Sequence, residues 1–276
     1  MKITTLLENT SCRADVVHAH GLSQYVETKT HKILFDMGPG PAVLDNARAL
    51  GVDLALVDTA VLSHAHDDHS GGLAPFLSVN KTARVYLSRA AMGDYYAMGK
   101  NGVPEFIGMP EAVRPFEDRL TLTGDALTID DTLRLFSDIK TADYRSHAND
   151  KLKEKQGEDY PMDEFRHEQN LLICEDSKAV LLAGCSHRGI VNILRRAEEL
   201  LGRAPDAVFA GFHLYSPGTG ETEPRDLVEA VGRELLAREL TVYYTGHCTG
   251  QDAFAILKEQ LGDRLHYMTG GSTVEI

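Results

Sequence analysis

The four cysteines of the 276-residue chain, Cys12, Cys174, Cys185 and Cys248, have no paired spacing. That suits a reducing compartment better than a disulfide framework. Cations are also scarce, with 28 Lys and Arg against 41 Asp and Glu, for a net charge of −13. Such a balance offers no counterion-releasing surface, so nucleic acid is not an expected partner. No apolar run is long enough to span a bilayer, and the opening Met1-Lys2-Ile3-Thr4-Thr5-Leu6-Leu7-Glu8-Asn9 lacks the apolar core and cleavage-type ending of a secretory signal. A cytoplasmic location away from membranes is the expectation. Linker composition and a fixed-period repeat are missing too, which favours one domain over 1–276.

What is present is a globular composition, 43% hydrophobic and 25% charged, arranged as strands alternating with helices. Strands are expected at Ile3 to Glu8, at the hairpin Leu22 to Thr28 with Lys32 to Asp36, along Asp53 to Ser63, and at Ala83 to Leu87. Met92, Tyr95, Tyr96 and Met98 suggest a short helix, then a loop to Pro115 that could wall a pocket or simply pack. Short β stretches follow at Leu120 to Leu122, Leu127 to Ile129 and Leu133 to Phe136. The second half reads as strands Leu171 to Cys174, Ala179 to Ala183, Ala207 to Ala210, Thr241 to Thr245 and Leu265 to Met268, with helices Ile190 to Leu201, Glu223 to Arg238 and Gln251 to Leu261. Between the halves, residues 140–167 turn sharply polar. A long polar segment within a domain is a lid or insertion, or a merely solvated excursion.

One stretch stands apart. Leu62-Ser63-His64-Ala65-His66-Asp67-Asp68-His69-Ser70-Gly71-Gly72 sets three imidazoles and two carboxylates after an apolar strand. Packing has no use for such a cluster, because unsatisfied His and Asp are costly in a core, so a metal cradle is the simplest reading. In extended chain His64 and His66 point the same way, while Asp68 and His69 can fan out over a turn toward a second ion. Asp36, at the preceding strand end, could orient these ligands through hydrogen bonds or be an ordinary turn residue.

Three later strands also end in Gly and His: Gly184-Cys185-Ser186-His187, Gly211-Phe212-His213 and Gly246-His247-Cys248. Side chains at strand ends converge on one edge of a sheet, where a rigid frame can hold metal geometry. Arg188 begins a helix just after His187. There it could hold a phosphate or serve as a surface cap.

The pattern His64-x-His66-x-Asp68-His69 resembles the signature of the metallo-β-lactamase-fold hydrolases. That resemblance implies an α/β fold, an αββα sandwich of two mixed sheets face to face with helices outside. His20-Gly21-Leu22-Ser23, Phe35-Asp36-Met37-Gly38, Gly184-Cys185-Ser186-His187-Arg188-Gly189-Ile190, Gly211-Phe212-His213-Leu214 and Gly246-His247-Cys248-Thr249-Gly250 resemble one branch, the 7,8-dihydropterin-6-yl-methyl-4-(β-D-ribofuranosyl)aminobenzene 5′-phosphate synthase family. The implied centre holds two divalent ions, zinc first with manganese or iron as alternatives. His64, His66 and His187 are assigned to one ion, and Asp68, His69 and His247 to the other. Cys185 stands where many members of the superfamily have a bridging Asp, which leaves thiolate ligation or replacement by Glu168 open.

Asp68 and His213 are the candidate catalytic residues, and Arg188 and His20 the candidate substrate contacts. Hydrolysis of a small, anionic ester, lactone or phosphoester is the first expectation. The alternatives are a synthase-type transfer on a phosphorylated, pterin-like substrate and a di-iron redox protein.

Overall fold

Alternation along the strands decides which layer each side chain enters. The computed structural model describes residues 1–276. In the strand Lys32–Phe35, Ile33 and Phe35 face one layer while Leu34 faces another, and Leu171 and Ile173 part from Leu172 in the same way. Period-two separation of apolar residues on both faces is the mark of a strand buried on both sides. The inward residues Ile33, Phe35, Val61, Leu135, Leu171, Ile173, Val180, Leu182 and Phe209 form one core between two sheets. Outer cores lie under the helices, one around Leu34, Phe76 and Val85 and the other around Leu181, Ile193, Val208 and Leu257. This is the expected αββα sandwich.

Each sheet has seven strands. The first runs, in spatial order, Thr273–Glu275, Lys2–Leu7, Ser23–Glu27, Lys32–Phe35, Thr59–Val61, Arg84–Ser88 and Leu120–Thr123. The second runs Leu265–Tyr267, Val242–Thr245, Ala207–Ala210, Lys178–Leu182, Asn170–Glu175, Leu133–Phe136 and Ala126–Thr128. Lys178–Leu182, Ala207–Ala210 and Val242–Thr245 are parallel neighbours, so their C-terminal ends lie side by side on one rim. The same holds for Lys32–Phe35 beside Thr59–Val61 in the first sheet. The helices Ile190–Leu201 and Gln251–Leu261 have the expected bounds, and the third spans Arg225–Leu236. No helix is long and apolar enough to cross a membrane.

Several local expectations differ. The strand expected over Asp53 to Ser63 is confined to Thr59–Val61, after a short 3₁₀ turn at Leu54–Leu56. The helix expected around Met92 to Met98 is a 3₁₀ turn, Arg89–Met92, followed by a strand, Tyr95–Met98, between Pro104–Phe106 and Leu152–Glu154 in a three-stranded sheet. Distant chain supplies its partners, which local periodicity cannot show. The polar stretch 140–167 therefore is tied to the body through Leu152–Glu154, with Ser146 capping a 3₁₀ turn at His147–Lys151. The final strand Thr273–Glu275, which pairs with the first, was not expected from the sequence.

Candidate metal centre

The histidines converge where the strand ends of the two sheets meet. His64, at the end of Thr59–Val61, has its ring centroid 4.6 Å from His66 and 5.0 Å from His187, which follows the strand Lys178–Leu182 of the other sheet. His69 lies 5.0 Å from His247. Asp67–Ser70 forms one helical turn that places His69 between the two groups, its ring centroid also 4.2 Å from that of His64. The rim admits this only because small residues line it. A Cβ on Gly184 would meet Ser63 Oγ at 2.1 Å and His64 Nδ1 at 3.1 Å.

Four of these rings are anchored through Nδ1, and two of the four are free at the other nitrogen. His64 Nδ1 pairs with Ser63 Oγ at 2.8 Å, His69 Nδ1 with Asp36 Oδ2 at 2.6 Å, His187 Nδ1 with Asn149 Oδ1 at 2.9 Å, and His247 Nδ1 with Asn9 Oδ1 at 2.9 Å. The Nε2 atoms of His64, His66 and His187 are buried without a hydrogen-bond partner. Orphaned buried nitrogens are expensive, and anchoring one ring nitrogen so the other can bind a cation is how proteins orient metal-ligating histidines.

In the second group, His247 Nε2 lies 3.1 Å and His69 Nε2 3.6 Å from Asp68 Oδ2, and His69 Nε2 lies 3.2 Å from both His247 Nε2 and Cys185 Sγ. A tetrahedron of N, O and S ligands around zinc has edges of about 3.3–3.8 Å. The spacing fits. Ligand atoms of Asp68, His69, Cys185 and His247, and separately of His64, Cys185 and His187, lie within 4.8 Å of one another. Cys185 belongs to both groups, the place a bridging ligand occupies.

Burial sets the electrostatics. It drives His64 and His187 well below the usual imidazole range and His66 down to about 3, helped by neighbouring imidazoles, so these rings are neutral donors at pH 7. For His69 the same desolvation is outweighed by the carboxylates of Asp68 and Asp36, which lift it to about 9. Asp67 is pushed up to about 6 by burial and by Asp68. Asp36, Ser186, His213 and His247 all have φ between 48° and 58°, a left-handed conformation non-glycine residues seldom keep without compensation.

Asp36 acts as the orienting carboxylate, its Oδ1 accepting from Ser63 N and its Oδ2 from Ser63 Oγ and His69. His213 lies with its ring centroid 4.1 Å from that of His187, tilted 55°, and both of its ring nitrogens are buried and unpartnered. His20 Nε2 sits 3.3 Å from Asp68 Oδ2 at the pocket mouth.

Two expectations are corrected. Arg188 does not face the pocket: its guanidinium donates to the backbone carbonyls of Glu164 and Ile139. Backbone carbonyls at both ends of the 140–167 segment, one just before it and one within it, hold the cation that a phosphate would have needed. Glu168 is not a spare ligand, because Oε1 accepts from His187 N and Oε2 from Arg188 N, so the carboxylate holds the loop instead.

Asn149 and Asn9 escaped sequence reading, as nothing distinguishes an amide far from the histidines until the fold brings it there. Glu8 was missed likewise; its Oε1 accepts from His247 N at 2.6 Å. The open cavity over the centre measures about 250 Å³. Ala97, Met98, Ile107 and Leu152 form its apolar wall, and Lys151 lies at its edge.

A sandwich of two mixed sheets with a His-x-His-x-Asp-His rim defines the metallo-β-lactamase fold, and residues 20–102 match the sequence model described as the Metallo-beta-lactamase superfamily. The chain has that fold. It is 24% identical to 7,8-dihydropterin-6-methyl-4-(beta-D-ribofuranosyl)-aminobenzene-5'-phosphate synthase of Methanocaldococcus jannaschii, over 100% of this chain and 96% of the relative. Uncharacterized protein MJ0448 of the same organism is 27% identical over 77% of this chain and 79% of its own. Among solved structures, Tm1679, described as a metal-dependent hydrolase of the beta-lactamase superfamily, superposes with a TM-score of 0.81 at 25% identity, covering 100% of this chain and 99% of the other. Zn(2+)-bound PqqB from Methylobacterium extorquens shares the fold with a TM-score of 0.58 at 11% identity, with 100% of both chains covered.

Proposed function

We propose that the protein is a metal-dependent hydrolase acting on a small anionic ester, lactone or phosphoester. The observation that carries this reading is the convergence of buried, unpartnered imidazole nitrogens from both sheets on the Cys185 thiol. His64, His66 and His187 would hold one divalent ion, and Asp68, His69 and His247 the other, with Cys185 between them. Two such ions make water nucleophilic at neutral pH and polarise the bond under attack. The thiolate favours zinc over manganese.

The chain's own groups supply the rest. Asp68, besides its ligand role, lies 3.3 Å from His20 Nε2 at the mouth, so the centre and the substrate entrance adjoin. His213 has a free nitrogen for a proton to the leaving oxygen, the role of a general acid. Lys151 offers positive charge and His20 a hydrogen bond to an anionic group, while Ala97, Met98, Ile107 and Leu152 exclude water from the apolar part of the cavity. Residues 140–167 form a lid in this reading, because they contribute Lys151 and Leu152 to the wall and Asn149 to the His187 anchor.

A synthase-type transfer is the second reading, favoured by the similarity to the M. jannaschii synthase along the whole chain.

Metal-loaded protein should hydrolyse at least one member of a panel of phosphodiesters, lactones and carboxylic esters, and His64→Ala should lose about 10²-fold or more in kcat/KM. Turnover unchanged in His64→Ala, or a silent panel together with tight binding of a pterin, would overturn the hydrolase reading.

A further inference from the structure

The two-ion arrangement leaves one buried group unused. Cys248 follows His247 at the end of Val242–Thr245, and its Sγ lies within 4.8 Å of both Cys185 Sγ and a ring nitrogen of His213. These residues follow three parallel, adjacent strands, so the backbone frame holds them rigidly. Gly211 permits the approach. A Cβ there would meet Cys248 Sγ at 2.5 Å and Cys185 Cα at 3.5 Å.

Burial makes the cluster informative. Cys185 is 3% exposed, Cys248 2% and His213 6%, and neither ring nitrogen of His213 has a hydrogen-bond partner. A desolvated imidazole with two orphan nitrogens beside two thiols is costly, and His213 is also kept at φ 48°. One cation would compensate both costs. Two sulfurs and one imidazole nitrogen form a soft donor set, unlike the nitrogen- and oxygen-rich groups beside it. Ligand separations up to 4.8 Å need only small side-chain rotations to reach zinc–sulfur bonds of about 2.3 Å and zinc–nitrogen bonds of about 2.0 Å.

We propose that Cys185, His213 and Cys248 form a third cation subsite, selective for a thiophilic ion such as Zn²⁺ or Cd²⁺, that shares the Cys185 sulfur with the two-ion centre. Binding deprotonates the Cys248 thiol, and the Cys185 thiol where the neighbouring ions have not already done so, with the protons passing to solvent. One nitrogen of His213 suffices as ligand, which leaves the other for the pocket. Cations a few ångströms apart repel, so this subsite fills last.

The inference rests on the two-ion reading only in sharing Cys185, and its test counts ions rather than turnover. Full-length protein, stripped by chelator in a thiol-free reductant, is titrated with Cd²⁺ alone; native mass spectrometry gives stoichiometry and ultraviolet absorbance reports sulfur-to-cadmium charge transfer. Wild type should bind one ion more than Cys248→Ser and show the stronger charge-transfer band, and His213→Gln should weaken the last ion about 10- to 100-fold. Equal stoichiometry and equal absorbance in wild type and Cys248→Ser, with His213→Gln unchanged, would overturn the subsite. Loss of the last ion in both variants supports it even if no substrate is ever turned over, whereas hydrolysis with no third ion removes this inference alone.

Discussion

At the scale of single residues, the proposed centre depends on groups outside its ligand set. Asn149 gives His187 two hydrogen bonds' worth of restraint, Oδ1 to Nδ1 and Nδ2 to the backbone carbonyl, each 2.9 Å. Phe165 stacks flat on the same ring at 4.5 Å. Partners of this kind fix which nitrogen faces the metal, and losing one typically costs 10- to 100-fold in affinity or activity. Asn149→Ala is therefore expected to weaken zinc about 10- to 100-fold while Asn149→Asp, which keeps the acceptor, recovers most of it. Competition titration against a chromogenic chelator measures this, and equal affinity in Asn149→Ala would place His187 outside the ligand set.

At the scale of elements, the strands are pinned at both ends. Opposite the histidine rim, the turn after Ser23–Glu27 carries His31, whose Nδ1 meets Asp58 at 2.9 Å and whose Nε2 meets Asp130 at 2.6 Å. Asp58 precedes a strand of the first sheet and Asp130 follows one of the second, so the imidazole ties the two layers. Burial lowers the ring's pKa, but the two carboxylates outweigh it and the net shift is upward. A raised His pKa contributes stability that is full below the unfolded value, about 6.5, and is lost as pH rises through the folded value. Asp130 is shifted down, mainly by hydrogen bonds from Thr132, Leu133 and His31 acting against its burial, so its share fades only as pH falls through that lowered value. Urea denaturation should show wild type exceeding His31→Gln by more at pH 5.5 than at pH 8.5. The same gap at both would mean that the ring acts by packing alone.

At the scale of the whole molecule, the proposed centre joins the two layers at the rim opposite His31. His64, His66, Asp68 and His69 come from the first sheet, and His187 and His247 from the second. An ion bound only by the folded chain stabilises it by about 4 kcal/mol at a thousand times its Kd. For a protein of this size that raises Tm by on the order of 10 °C. Zinc added to chelator-stripped protein should produce such a rise in calorimetry, and His69→Ala should blunt it. A zinc-independent Tm would show that the ligands do not bridge the sheets.

The sequence by itself determined the class of fold, the cluster from His64 to His69, and the strand-end placement of His187, His213 and His247. These are local facts, in which apolar runs make strands and ligand-type residues at their ends need no knowledge of distant chain. Tertiary structure alone decided the rest. Whether Cys185 lies between the groups, whether Arg188 meets substrate or the carbonyls of Glu164 and Ile139, and which amides anchor the rings all depend on segments more than twenty residues apart meeting in space. The strand at Tyr95–Met98 shows the same physics, since its identity rests on pairing with Leu152–Glu154, and no periodicity within six residues can encode a partner some fifty positions away.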